Sequence, residues 1–122
     1  MTRKKIVVVD DSVICLEIAR LALEKRGHVV LALDSPFGLT KILNEIRPDL
    51  VLLDVNMPAL QGDKVAAIVL KYREYQCPVV FLSDRPAREL SALAASCGAT
   101  GYINKTDDLD ALADSIERYL TD

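Results

Sequence analysis

The chain segment that decides which fold this sequence predicts is Asp49-Leu50-Val51-Leu52-Leu53-Asp54-Val55-Asn56-Met57-Pro58. Its first half is a short run of valine and leucine that stops shortly before a proline, a pattern typical of a strand buried on both faces. Asp54 follows the last apolar residue of that run. Because open α/β sheets bind their ligands at the carboxyl ends of their strands, Asp54 is the first candidate for a functional residue.

Three other apolar runs are also followed by polar residues. Residues 6–9 precede Asp10 and Asp11, residues 79–82 precede Ser83 and Asp84, and residues 102–103 precede Asn104 and Lys105. If the corresponding strands are parallel, their carboxyl ends share one edge of the sheet. We then expect the carboxylates, the hydroxyl and the ammonium group to lie close together.

Amphipathic segments separate these runs, and residues 28–33 supply one more strand. In the amphipathic segments apolar residues recur every three or four positions, as on the buried face of a helix. The residues expected to face the core are Ile14, Ile18, Leu21 and Ala22 in the first helix, Leu39, Ile42, Leu43 and Ile46 in the second, Val65, Ile68, Val69 and Tyr72 in the third, Leu90, Leu93, Ala94 and Cys97 in the fourth, and Leu109, Leu112, Ala113, Ile116 and Leu120 in the fifth. Five strands alternating with five helices predict an α/β fold, a doubly wound parallel sheet with helices on both faces. Residues 1–122 have the length of a single domain.

Polar side chains predict where three of these helices begin. Asp11 or Ser12 is placed to cap the first helix, and Asp107 or Asp108 is placed to cap the fifth. Before the second helix, Asp34-Ser35-Pro36 predicts a cap followed by proline at the first helical position.

The composition excludes several classes of protein. With 51% hydrophobic and 27% charged residues the chain is globular, and its net charge of −3 argues against binding nucleic acid. No stretch approaches the roughly 20 apolar residues of a membrane span. The three cysteines lack the even count of a disulfide framework and the spacing of a zinc site, so we expect free thiols in a reducing, cytoplasmic setting.

The expected cluster of acids favours the binding of a cation and the acceptance of a phosphoryl group. Asp10, Asp11 and Asp54 would raise one another's pKa unless a cation lay among them. Oxygen ligands without histidine or cysteine favour Mg²⁺, which takes one or two carboxylates and keeps several waters. A carboxylate can also accept a phosphoryl group as a nucleophile, with Lys105 to neutralise charge and Ser83 to donate a hydrogen bond.

This combination of residues resembles the receiver domain of bacterial two-component response regulators, the CheY-like family, over essentially the whole chain. The matching residues are Asp10 and Asp11 after the first strand, Asp54-Val55-Asn56-Met57-Pro58 with Gly62 after the third, Ser83 after the fourth and Lys105 after the fifth. The resemblance implies a flavodoxin-like strand order of 2-1-3-4-5. It also implies a phosphoryl-accepting signalling switch in a phosphorelay, which promotes its own phosphorylation and dephosphorylation without being an enzyme in the ordinary sense.

The resemblance assigns roles around the acids. It implies that Asp54 accepts phosphate from a sensor histidine kinase or a phosphotransfer protein. It implies that Asp11 and Asp54 bind Mg²⁺ directly, together with the main-chain carbonyl of Asn56, and that Asp10 assists through a water molecule.

The resemblance also assigns the residues that respond to phosphate. Lys105 pairs with the phosphoryl group, Ser83 and Tyr102 change position together, and Asn56 and Arg85 help to set the lifetime of the phosphate. The surface of the fourth helix, fifth strand and fifth helix then changes and controls a downstream partner, an output domain or a second copy of the chain. No membrane and no nucleic acid is implied as a partner of this domain.

Two positions depart from the family pattern. Thr106 stands where the family often has a proline after the lysine, which puts in doubt any loop geometry that depends on a cis bond there. Asp84 stands where a small residue is more common. It could add negative charge near the phosphate, or pair with Arg85 or Lys105.

Three alternatives stay open on the sequence alone. A pseudo-receiver would keep these residues and act as an interaction module without phosphate. A haloacid-dehalogenase-type phosphatase also uses a strand-end aspartate and Mg²⁺, but Asn56 occupies the place of its second acid. A flavin-binding module of the same topology would need a phosphate-binding loop where Asp10 and Asp11 stand.

Overall fold

The computed structural model of the chain describes residues 3–57 and 63–120. Within them five strands and five helices alternate along the chain. The strands are β1 (Lys5–Val9), β2 (Val29–Leu33), β3 (Leu50–Leu53), β4 (Val79–Ser83) and β5 (Gly101–Asn104), and the helices are α1 (Val13–Glu24), α2 (Leu39–Ile46), α3 (Asp63–Glu74), α4 (Ala87–Cys97) and α5 (Leu109–Glu117).

The strands form one parallel sheet in the order β2-β1-β3-β4-β5. This order confirms the predicted doubly wound α/β fold. β1, β3 and β4 have neighbours on both sides, and helices cover both faces of the sheet. Their sequences are therefore almost continuously apolar, because side chains on both faces of a parallel sheet are buried.

Alternate residues of the central strands belong to two separate cores. In β1, Val7 and Val9 pack with α2, α3 and α4, whereas Ile6 and Val8 pack with α1 and α5. β3 alternates in the same way. Because both cores pack against the same central strands, the ends of these strands are held at fixed positions relative to one another.

The strand register brings the expected site residues together. Val9 of β1 pairs with Leu53 of β3, so Asp10 and Asp54 both begin just beyond the same rung of the sheet. The main-chain N–H of Asp54 donates to the carbonyl of Val9 at 2.9 Å. On the other side of β3, the N–H of Lys105 donates to the carbonyl of Ser83, also at 2.9 Å.

The buried face of α1 differs from the prediction. Ile14 is 72% exposed and Leu21 is 49% exposed, while Ala19, Ala22 and Leu23 are buried. The expectation was therefore wrong for Ile14 and Leu21. Apolar residues lie on more than one side of this helix, so its periodicity alone does not decide which face is buried. The small alanines allow the helix to lie closer to the sheet.

The start of α2 also differs from the prediction. The helix begins at Leu39, three positions after Pro36, which was expected at its first helical position. Gly38, with φ of 91°, precedes the helix, and the Ser35 hydroxyl accepts a hydrogen bond from the N–H of Phe37 at 3.1 Å. A local turn of this kind competes with the first turn of a helix.

The remaining helix predictions hold within the described residues. Ser12 caps α1 by accepting from the N–H of Cys15, and Asp108 caps α5 by accepting from the N–H of Ala111. The residues expected to face the core in α3, α4 and α5 are buried or packed against it. Pro58 and Gly62 lie outside the described residues. In residues 3–57 and 63–120, no helix has the length and apolar character of a membrane span.

Candidate functional site

Three carboxylates meet at the carboxyl ends of β1 and β3. One oxygen each of Asp10, Asp11 and Asp54 lies within 4.8 Å of the other two. Asp10 and Asp54 are buried, Asp54 being 2% exposed, and Asp11 is exposed at the mouth of the cluster. The structure thus brings together the three acids that the sequence singled out.

Asp10 is held in place but keeps a free acceptor position. Its Oδ1 accepts a hydrogen bond from the N–H of Ser12 at 2.9 Å. Its Oδ2 is buried, lies 2.7 Å from Nζ of Lys105 as an ion pair and accepts no other hydrogen bond from the described residues. A carboxylate oxygen has two lone pairs, so beside Lys105 it can still accept a hydrogen bond from water or coordinate a cation.

Lys105 places an ammonium group against two of the carboxylates. Its Nζ also lies 3.5 Å from Oδ2 of Asp54. Burial by itself lowers the pKa of Lys105, but Asp10 and Asp54 raise it above its ordinary value overall. Lys105 is therefore a permanent positive charge in the site at neutral pH.

Burial raises the pKa of Asp54 above its ordinary value, and the nearby charge of Asp10 raises it further. A hydrogen bond from the N–H of Asn56, 3.0 Å from Oδ1, and the charge of Lys105 act in the opposite direction. A cation among the carboxylates would favour the ionised form in the same way. The oxygen-only donor set and the unfilled acceptor position on Asp10 fit a hard divalent ion such as Mg²⁺.

Ser83, at the end of β4, is fully buried beside this cluster. Its Oγ accepts hydrogen bonds from Nδ2 of Asn56 at 2.9 Å and from the N–H of Arg85 at 3.2 Å. Asn56 reaches it from the loop after β3. The loop after β3 is therefore joined to the end of β4 by a direct hydrogen bond to the Ser83 hydroxyl.

Asp84 takes part in this junction in a way that the sequence did not predict. Its Oδ1 accepts from Nδ2 of Asn56 at 2.8 Å, rather than pairing with Arg85 or Lys105. Arg85 instead donates from Nε to Oδ1 of Asn56 at 2.5 Å. The signal in the sequence was only the unusual acidic residue after Ser83, which did not reveal its partner.

The fifth strand and its loop complete the site region. Tyr102 is half-buried and packs against the core on the α4 side of the sheet. Its main-chain carbonyl accepts from the hydroxyl of Tyr119 at 3.3 Å. Thr106, where proline was the more usual residue, accepts a hydrogen bond from the N–H of Asp108 at 3.2 Å and so helps to form the start of α5.

This arrangement can bind a divalent cation and can present a carboxylate to an electrophile. The acids lie at the surface end of a rigid sheet, with a fixed ammonium group and a hydroxyl on either side. Phosphoryl transfer depends mainly on positioning and on neutralising charge, and these are the properties that the site supplies.

A family model for the response regulator receiver domain matches residues 6–117 of the chain. This range includes the three clustered acids Asp10, Asp11 and Asp54, as well as Ser83 and Lys105. The family is one of signalling switches rather than ordinary enzymes, and its members take phosphoryl groups.

Solved structures of the same fold agree with this match. The chemotaxis response regulator CheY4 of Vibrio cholerae is 25% identical, with a TM-score of 0.83 over 98% of this chain and 100% of that one. A response regulator from Thermotoga maritima is 27% identical, with a TM-score of 0.82 over 97% and 98% of the two chains. NtrX from Brucella abortus is 27% identical, with a TM-score of 0.83, over 98% of this chain but only 28% of that longer protein. The chain therefore belongs to the response regulator receiver domain family.

Proposed function

We propose that Asp54 is the phosphoacceptor of a Mg²⁺-dependent signalling switch. The observation that carries this proposal is the meeting of three carboxylates with the ammonium group of Lys105 at one edge of the sheet. Asp54 is buried, contacts Lys105 through Oδ2 and follows the central strand β3. We treat residues 1–122 as one receiver domain and keep the cytoplasmic location expected from the free thiols.

The proposed reaction moves a phosphoryl group from a phosphohistidine to Asp54. An oxygen of the carboxylate forms the new O–P bond as the P–N bond of the donor breaks, and the histidine nitrogen leaves with the electron pair. Lys105 pairs with a phosphoryl oxygen. Hydrolysis later adds water to phosphorus, releases inorganic phosphate and restores the carboxylate of Asp54.

The metal site of this proposal uses the acids and one main-chain group. Asp11, Asp54 and the carbonyl of Asn56 would hold Mg²⁺ directly, with Asp10 acting through water. An ion bound there would supply positive charge to neutralise the transferred group. Lys105, 3.5 Å from Oδ2 of Asp54, and the N–H of Asn56, 3.0 Å from Oδ1, meanwhile hold this carboxylate in place.

The proposed output is a change in the surface of α4, β5 and α5. Ser83 turns towards the phosphoryl group and Tyr102 turns inward. The partner in phosphate transfer is a sensor histidine kinase or a phosphotransfer protein, and the changed surface contacts a downstream partner, an output domain or a second copy of the chain. Phosphorylation can do this only if it favours the new surface over the old one.

The test is the intact mass of the protein after incubation with acetyl phosphate, with and without Mg²⁺. We expect the native chain to gain one phosphoryl group with Mg²⁺ present. Asp54→Asn should gain none, whereas Asp34→Asn, at the same sheet edge beyond β2, should behave as the native chain. A gain that persists in Asp54→Asn would contradict the assignment.

If the folded native protein gains nothing, the same measurement is repeated with a phosphorylated histidine kinase domain as the donor. No gain from either donor would favour the pseudo-receiver. Membership of the family already favours the receiver over the phosphatase and the flavin-binding module.

A further inference from the structure

We propose that Asp84 is a positioning residue that holds Ser83 in its unphosphorylated position through the side chain of Asn56. The proposal rests on the proposed function, because it concerns the switch that phosphate on Asp54 would operate. We call the contacts of Asp84, Asn56 and Arg85 the amide bridge.

The amide bridge joins two charged groups of opposite sign through one side-chain amide. Nδ2 of Asn56 donates to the carboxylate of Asp84 at 2.8 Å, and Oδ1 of Asn56 accepts from Nε of Arg85 at 2.5 Å. Both hydrogen bonds are charge-assisted, and a chain of such bonds polarises its members. The bridge therefore connects the loop after β3 with the loop after β4.

The two charges determine which way the amide points. With the amide rotated by half a turn, its oxygen would face the carboxylate of Asp84 and its NH₂ group would face the guanidinium of Arg85. Both contacts would then be repulsive, since a carboxylate only accepts and a guanidinium only donates. Asp84 and Arg85 together thus select the orientation in which Nδ2 also donates to Ser83.

Ser83 is the group that this orientation controls. Its Oγ accepts from Nδ2 of Asn56 at 2.9 Å and from the N–H of Arg85 at 3.2 Å, so two donors occupy its two acceptor positions. The side chain is also fully buried. To turn towards a phosphoryl group on Asp54, Ser83 has to leave the donor that Asp84 keeps in place.

A contact made only in the unphosphorylated state opposes phosphorylation. By linkage, weakening that contact strengthens binding of a phosphoryl group by up to the same factor. Replacing Asp84 therefore shifts the switch towards its active position. Asp84 and Asn56 are both exposed, so these replacements do not disturb the core.

The test uses beryllium fluoride with Mg²⁺, which mimics a phosphoryl group on a carboxylate, and measures its affinity by calorimetry. We expect Asp84→Ala to bind it about 3- to 10-fold more tightly than the native chain, as for the loss of one hydrogen bond of the resting state. Asp84→Asn retains an acceptor oxygen for Nδ2 of Asn56. It should give a smaller increase than Asp84→Ala.

Repeating the measurement in the Ser83→Ala variant distinguishes an effect through the amide bridge from simple charge repulsion by Asp84. If Asp84 acts through Ser83, the increase seen in Asp84→Ala should disappear when Ser83→Ala is already present. If Asp84 merely repels the anion, the increase persists in Ser83→Ala, and Asp84→Asn and Asp84→Ala increase the affinity equally. That result would overturn the proposal.

The side-chain amide of Asn56 supplies an independent structural readout. In NMR spectra its NH₂ protons should be protected from exchange in the native chain and lose that protection in Asp84→Ala. Unchanged protection would overturn the proposal. A third result would separate the two proposals: the native chain binds no beryllium fluoride, but Asp84→Ala still loses the protection of the Asn56 NH₂ protons. The amide bridge would then exist, whereas the proposed function, and the phosphorylated state that the bridge would oppose, would be wrong.

Discussion

Lys105 allows three carboxylates to share one site. Its Nζ lies 2.7 Å from Asp10 and 3.5 Å from Asp54, two side chains that are almost completely buried. Two buried like charges would otherwise oppose folding, because the energy of a charge rises steeply where water is excluded. Lys105 therefore contributes to the stability of the metal-free protein as well as to the expected chemistry.

We predict that Lys105→Met lowers the free energy of unfolding by about 2–4 kcal/mol in the absence of divalent ions, because Asp10 and Asp54 lose their counter-charge. The measurement is urea unfolding at pH 7 with a chelator present. Lys71→Met, an exposed lysine of α3, is the control and should change stability by less than about 0.5 kcal/mol. Added Mg²⁺ should restore part of the loss, and equal stabilities of the two variants would contradict this account.

The reactive residue types could be predicted from the sequence, but their mutual contacts could not. Asp10, Asp11, Asp54, Ser83 and Lys105 each follow an apolar run, and the parallel sheet brings them together as predicted. Their assigned roles stay predictions until phosphate transfer is measured. The contact of Asp84 with Asn56, across 28 positions of the chain, depends on two loop conformations that no local pattern specifies.

At the scale of single elements, α5 begins where its polar residues indicate. Asp108 accepts from the N–H of Ala111 at 3.0 Å, and Thr106 accepts from the N–H of Asp108 at 3.2 Å. Together they satisfy main-chain donors at the first turn and just before it, where a helix provides no partner. The loop that carries Lys105 therefore runs directly into a well-defined helix start.

We predict that Asp108→Ala lowers the free energy of unfolding by about 1 kcal/mol, because the N–H of Ala111 loses its acceptor. Asp107→Ala removes the same charge one position earlier, at an exposed residue that does not cap the helix, and should cost less than about 0.5 kcal/mol. Thermal and urea unfolding of the two variants measure the difference. Equal losses would show that charge, rather than the cap, is responsible.

Helices α1 and α2 show the limits of element prediction. Both exist where the apolar pattern predicts them, because an amphipathic segment has to bury its apolar side. In α1 the helix turned its alanines towards the sheet and left Ile14 exposed. In α2 the left-handed Gly38 and the turn at Ser35 moved the start beyond Pro36. Each outcome depends on competing local contacts rather than on periodicity.

At the scale of the whole molecule, an ionic cluster joins the loop between α1 and β2 to α5. Arg26 donates from Nη1 to Glu117 at 2.6 Å and to Asp114 at 2.8 Å, and the buried His28 lies 2.9 Å from Glu117 through Nε2. Nδ1 of His28 accepts from the N–H of Lys4 at 3.2 Å, which leaves Nε2 to donate. Glu117 of α5 is thus the common partner of two residues from the loop between α1 and β2.

This cluster makes stability depend on pH. Burial alone would raise the pKa of Glu117, but hydrogen bonds from His28 and Arg26 lower it below its ordinary value. The unfolded chain then binds a proton more readily than the folded one. The contribution of Glu117 is complete above its unfolded pKa of about 4.3 and is lost as the pH falls through the lower folded value.

We predict that Glu117→Gln lowers the free energy of unfolding by about 1 kcal/mol at pH 7, and by progressively less as the pH falls below about 4. Urea midpoints measured between about pH 3 and pH 7 test this. Glu24→Gln, an exposed glutamate of α1, should leave the profile of the native chain unchanged. A constant difference between Glu117→Gln and the native chain at all pH values would contradict the assigned cause.

The sequence by itself determined the alternation of strands and helices, the parallel sheet and the chemical types at its carboxyl edge. These follow from short-range patterns, since buried strands are continuously apolar and helices repeat every 3.6 residues. Only the tertiary structure decided which side of α1 is buried, how Arg26 and His28 share Glu117, and that Asp84 contacts Asn56 beside Ser83. Those features depend on side chains from distant segments meeting in one geometry, and the packed sheet fixes that geometry only once the whole chain has folded.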